Sequence, residues 1–113
     1  MTLSEKKCEP CESSNVAPLD AAVVTNYLQE LVGWEALEDN TKIHKAFKFK
    51  NFKTSLEFVN QIAVIAEEEK HHPDILFGWG YCDVYVQTHS INGLHRNDFI
   101  LAAKIEEIHR KGT

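Results

Sequence analysis

Five glycines, three prolines and three cysteines are few for 113 residues, and each shortage excludes a class of protein. There is too little glycine and proline for a collagen-like or low-complexity chain. Cys8, Cys11 and Cys82 form an odd set, which does not make a disulfide framework for a small domain. No apolar run approaches the roughly 18–20 residues that a membrane helix needs. The opening MTLSEKKCEP lacks the apolar stretch of a secretory signal, so the expected location is the cytoplasm, with the nucleus as a second place. Basic side chains are outnumbered 12 to 17, for a formal charge of −5 with histidine neutral. Nucleic-acid binding draws mainly on cations that neutralise phosphates, so no direct nucleic-acid or membrane partner is expected.

What is present is the composition of a globular domain, 43% hydrophobic and 26% charged. The length suits one domain, since domains usually run to about 100–150 residues. Residues 1–17 carry no sustained periodicity and read as a flexible arm ahead of a single domain over 18–113. Within that arm, Cys8-x-x-Cys11 matches half a zinc ribbon, but no second pair follows at the spacing a zinc site requires.

Pro18, Leu19 and Asp20 predict a helix start, with Val24, Leu28 and Leu31 on one face and Gly33 as its stop. Short strands are expected over 34–38 and 43–49, although Lys45 interrupts the apolar side of the second. Residues 51–54 read as a break. A long helix over 55–70 follows, its buried face made by Phe58, Val59, Ile62, Ala63, Ile65 and Ala66. Pro73 ends it, because the residue before proline disfavours helical geometry. Strands over 74–79 and 81–88 come next. In the second, Cys82, Val84, Val86 and Thr88 share one parity, and Trp79, Tyr81, Asp83, Tyr85, Gln87 and His89 the other. A last helix over 96–110 has Leu101, Ile105 and Ile108 as its stripe. This order predicts an α+β fold, α-β-β-α-β-β-α, with a four-stranded antiparallel sheet and three helices on one face.

Six histidines are the candidates for chemistry. His71 and His72 sit where a helix ends, and Glu67 precedes His71 by four residues, a spacing that stacks carboxylate on imidazole. His89 is expected at a strand end, facing away from the valines. Asp98, one turn into the last helix, is placed to reach back toward it. His44, His95 and His109 have surface-like neighbours. Histidine is suited to proton transfer near neutral pH. Three histidines and a carboxylate are also a zinc set, but adjacent histidines fit the one-turn spacing of catalytic zinc poorly, so no metal is expected.

The run Glu67-x-x-x-His71-His72-Pro73, then five residues to Trp79, nine to His89 and eight to Asp98, resembles the signature of the pterin-4a-carbinolamine dehydratases. Gly33-Trp34, Lys48-x-Lys50-x-Phe52, Thr88-His89, Gly93-Leu94 and Asp98-x-x-Leu101-Ala102 are similar to that family too, over residues 34–108. The resemblance implies loss of water from a 4a-hydroxytetrahydropterin to give a quinonoid dihydropterin, in tetrahydrobiopterin recycling, with no cofactor. It implies His71, His72 and His89 as the catalytic set, supported by Glu67 and Asp98. His71 and His72 are assigned the acid side and His89 the base. Pro73, Thr88 and Ser90 join the three histidines in lining the pterin site. Homodimers that join sheets edge to edge, pairing into tetramers, are implied as well.

Two positions depart from the family pattern. His95 stands where a hydroxyl side chain often caps the last helix, and Lys70 stands where some members carry an acid. Other functions are open beside the enzyme. One is a protein-binding module, since some animal members stabilise dimers of a homeodomain transcription factor, although no residue here supports it directly. Another is a role in a different pterin or molybdenum-cofactor pathway.

Overall fold

The computed structural model describes residues 2–8 and 17–111. Helix α1 spans Ala21–Leu28, and its cap is Asp20, whose carboxylate accepts the Val23 N–H at 3.0 Å. A short polar side chain there satisfies one of the amide hydrogens that a helix start leaves unpaired. The expected opening at Pro18 moves inward because the preceding chain is held elsewhere. Leu19 N–H donates to the Leu94 carbonyl at 2.9 Å, and Pro18 packs so closely on Gly93 that a Cβ there would lie 2.6 Å from the Pro18 Cβ. Gly33, at φ +91°, belongs to the turns after α1 rather than to its last residue.

Strands β1 (Glu35–Leu37) and β2 (Lys42–Lys48) are joined by a turn in which Glu38, Asp39 and Asn40 all have positive φ. Helix α2 spans Phe52–Glu69. The expected break at 51–54 is in fact its cap and first turn. Asn51 Oδ1 accepts the Thr54 N–H at 2.9 Å, and Thr54 Oγ1 accepts the Asn51 N–H at 3.3 Å. This reciprocal pairing is a capping box, built here from Asn and Thr. Strands β3 (Asp74–Gly78) and β4 (Tyr81–Val86) form a hairpin. After β4 the chain enters a 3₁₀ turn, His89–Ile91, and then helix α3, Arg96–Lys111.

The four strands form one antiparallel sheet in the order β1-β2-β4-β3. Its inner face carries Ile43 and Phe47 from β2 and Cys82, Val84 and Val86 from β4, all at most 2% exposed. Phe58 and Ile62 of α2 and Phe99, Leu101 and Ile105 of α3 complete the core. Phe47 makes ring contacts with Trp34 at 6.1 Å and Phe58 at 4.8 Å. Burial of one such aromatic contributes about 1.5–3 kcal/mol. Helix α1 joins through Tyr27, which stacks on Phe99 at 4.7 Å. The α+β architecture and element order are those the sequence pattern predicts.

Lys45 lies on the inner parity of β2 without breaking the strand. Its ammonium pairs with Glu106 of α3 and donates to the Val32 carbonyl at 3.2 Å, while Trp34 Nε1 donates to the same Glu106 oxygen at 2.9 Å. The charge is thereby satisfied at the rim of the core.

Residues 2–8 fall in the stretch expected to be a flexible arm. They carry a 3₁₀ turn, Leu3–Glu5, packed on α3, with Leu3 buried. Residues 9–16, including Cys11, lie outside the described residues. No helix among the described residues is long and apolar enough to cross a membrane.

Cys82 is fully buried in β4, and burial, reinforced by neighbouring Asp83, pushes its thiol up to about 11. In the unfolded chain the thiol ionises at its lower, ordinary value, so between the two values the folded state holds more protons. Stability from this group is complete below that window and is lost as pH rises toward about 11. Urea unfolding at pH 8 and pH 10.5 is therefore expected to show a fall in stability that is smaller in Cys82→Ala.

Candidate active site

Helix α2 closes at Lys70, which takes a left-handed conformation at φ 53°, and His71 N–H returns to the Ala66 carbonyl at 3.1 Å. Pro73 then fixes the exit into β3. This turn separates the two imidazoles. His71 swings against the start of α3, where its Nε2 lies 2.6 Å from Asp98 Oδ1. His72 folds back over the last turn of α2, with Nε2 at 2.5 Å from Glu67 Oε2. The expected Glu67–His71 pair is therefore corrected: once Lys70 turns left-handed, His71 no longer continues the helical stack and His72 takes the Glu67 carboxylate. The Glu67–His72 pair is solvent-exposed, where such a contact contributes about 0–1 kcal/mol.

Asp98 is completely buried. Besides His71 it accepts from Thr88 Oγ1 at 2.8 Å and from the His95 backbone N–H at 2.9 Å, both at Oδ2. A buried carboxyl group lacking such partners would be strongly destabilising. Asp98 also occupies the first turn of α3, where the helix dipole favours negative charge. Through it the end of α2, the segment after β4 and the start of α3 meet at one side chain. Thr88 is buried, and its backbone pairs with Gly93 at 3.0 Å.

His89, expected to end the strand, instead opens the 3₁₀ turn, because pairing of β4 stops at Val86. It is exposed, and its Nδ1 lies 2.7 Å from Gln87 Nε2. Ser90 is exposed on the same turn, and Pro73 is half-buried after the histidine pair. Trp79 is 72% exposed and makes no part of this network. Among the described residues, these bonds engage one nitrogen of each ring. They do not involve Nδ1 of His71, Nδ1 of His72 or Nε2 of His89.

The histidines read as surface residues are each engaged. His95 serves as the cap of α3: its Nδ1 accepts the Asn97 N–H at 3.0 Å, while Asp98 reaches back to its backbone N–H. The imidazole thus does the work of the missing hydroxyl. His44 lies between Asp83 at 3.0 Å and Glu35 at 3.3 Å and stacks on Tyr85. His109 packs among Phe47, Phe49 and Phe58. Sequence reasoning missed Gln87 and the capping role of His95. Gln87 shares the strand parity of His89, two residues on, which is the one signal that pointed to it. Among the described residues, no three His, Cys, Asp or Glu side chains are arranged to hold a metal ion.

The profile of the family described as Pterin 4 alpha carbinolamine dehydratase matches residues 17–108, and the chain belongs to that family. A relative from Halorhodospira halophila, provisionally named pterin-4-alpha-carbinolamine dehydratase, is 47% identical. Its match covers 96% of this chain and 98% of its own length, so it reaches ahead of the family profile to include Cys8. One from Rickettsia canadensis with the same provisional name is 50% identical, over 92% of this chain and 94% of its own. Among solved structures, a transcriptional coactivator/pterin dehydratase from Brucella melitensis superimposes with a TM-score of 0.77 and 34% identity. It covers 80% of this chain and 97% of that one.

Replacing His95 separates cap from chain chemistry. His95→Ala is expected to lower unfolding free energy by about 1 kcal/mol, the usual cost of losing a cap, and His95→Thr to recover most of it. Denaturant titration of both variants checks this.

Proposed function

We propose that this chain catalyses the dehydration of 4a-hydroxytetrahydrobiopterin by general acid–base chemistry, without a resident cofactor. The carrying observation is Asp98, which ties His71 to the segment that bears His89. In the reaction the C4a–O bond breaks and the hydroxyl leaves as water with a proton from a histidine. The neighbouring ring nitrogen gives its proton to a second histidine, and its electron pair forms the new C=N bond. Two protons are handled and none is consumed, which suits groups that titrate near neutrality.

The hydrogen-bond partners support a division of labour. Asp98 and Glu67 hold the Nε2 side of His71 and His72, and those rings are the proposed acids, protonating the hydroxyl from Nδ1. His89 has an amide partner instead and is the proposed base at Nε2. That role requires its ring proton on Nδ1, so Gln87 would turn its carboxamide oxygen toward it. Pro73, Thr88 and Ser90, with the backbone around them, are proposed to line the pterin ring.

Self-association is proposed through the β3 edge of the sheet. Leu76 of β3 and Phe52, Leu56 and Val64 of α2 are large apolar side chains left exposed. An edge strand with such a surface is suited to pair with a second copy. The Brucella structure is named a transcriptional coactivator as well as a pterin dehydratase, and the same surfaces are the ones proposed for any protein-binding role of this chain.

Two outcomes follow. His71→Ala, His72→Ala and His89→Ala should each slow decay of 4a-hydroxypterin absorbance by about 10²–10⁴-fold with the circular dichroism spectrum retained. Undiminished turnover in His89→Ala rejects its role. Leu76→Lys should move the protein toward monomer in sedimentation velocity, and an unchanged sedimentation coefficient rejects the β3 contact.

A further inference from the structure

Cys8 touches both helix ends that deliver the His71–Asp98 pair. Its backbone N–H donates to Glu69 Oε1 at 2.7 Å, and its thiol donates to the Asn97 carbonyl at 3.6 Å. Glu69 is the last residue of α2 and stands two before His71. Asn97 stands immediately before Asp98. One half-buried residue therefore bridges two elements far away in sequence, at partners two residues from His71 and one from Asp98, which meet at 2.6 Å. The segment is anchored at its other end as well, with Leu3 in the core and Lys104 Nζ donating to the Ser4 carbonyl at 2.9 Å.

We propose that residues 2–8 act as a strap in which Cys8 is a positioning residue, clipping the end of α2 to the start of α3 and so fixing the His71–Asp98 hydrogen bond. Its catalytic consequence rests on the dehydratase reading above; its effect on His71 does not. Burial, together with Glu69, pushes the Cys8 thiol up to about 12, so the S–H stays in place as a donor at neutral pH. Loss of a supporting contact of this kind acts through the ring it holds: the imidazole gains freedom, and its bond to the carboxyl group lengthens for part of the time.

The test uses the full chain with Cys8→Ala, Cys8→Ser and Glu69→Ala. Proton exchange at His71 is followed by nitrogen-edited nuclear magnetic resonance, beside dehydration kinetics. In Cys8→Ala and Glu69→Ala the His71 ring N–H should exchange faster with solvent, because its hydrogen bond to the Asp98 carboxyl group is held less well. The turnover number should drop by about three- to tenfold with little change in KM, the size of effect that one hydrogen bond supplies. Cys8→Ser retains a donor and should return both readings toward wild type. A lowered melting temperature with an unchanged His71 N–H exchange rate would overturn the proposal, leaving the strap a purely structural element. If Cys8→Ala fails to fold, Glu69→Ala decides on the same readings. If wild type shows no dehydration, the catalytic reading fails while the His71 N–H exchange rate still decides the strap.

Discussion

Asp98 has no exposed surface, and its two oxygens accept from His71, from Thr88 and from the backbone amide of His95. Each donor comes from a different stretch of chain: the exit of α2, the segment after β4 and the cap of α3. The penalty for burying a carboxyl group without partners makes this convergence all-or-none, since removing one donor leaves an expensive vacancy beside the others. Stability and the proposed chemistry are therefore linked at this residue. The bonds that let the carboxyl group lie inside the domain also set the His71 ring with Nδ1 turned away from Asp98.

The surrounding fold is arranged to bring those three stretches together. Helices α2 and α3 lie on the inner face of the sheet with their ends opposed, as Phe58 against His109 and Cys8 between Glu69 and Asn97 show. The C-terminal end of one thus meets the N-terminal start of the other. A helix C-terminus favours a cationic imidazole, and a helix N-terminus favours a carboxylate. The His71–Asp98 pair occupies both favourable positions at once. The left-handed Lys70 is the local feature that permits it, because continued helix would carry His71 along the α2 surface instead.

Much of this was legible in the residues themselves. Alternation of Cys82, Val84 and Val86 marked one buried face of β4, and the spacing of Phe58, Ile62 and Ala66 marked the core side of α2, whereas Ala63, expected on that face, is exposed. Membership of the family was readable from the histidine motif. What escaped has physical reasons. Asn51 and Thr54 are turn-forming residues whose side chains can either interrupt a helix or cap it, and composition alone does not separate the two. Lys45 contradicts the strand pattern until Glu106, distant in sequence, supplies its counter-charge. The Glu67–His71 pairing assumed that helical periodicity continues to residue 71, an assumption a single positive φ removes. His95 as a cap depends on one ring nitrogen accepting from an amide two residues on, a use of histidine that helix-start patterns do not include.

The measurement that bears most directly on this account is the rate of 4a-hydroxytetrahydropterin dehydration by Asp98→Asn beside wild type. The substitution keeps the size of the side chain while removing the carboxylate that His71 Nε2 contacts. The account predicts a folded protein whose rate falls by about 10²-fold or more, as expected for loss of acid–base catalysis. A folded Asp98→Asn protein turning over at the wild-type rate would contradict it.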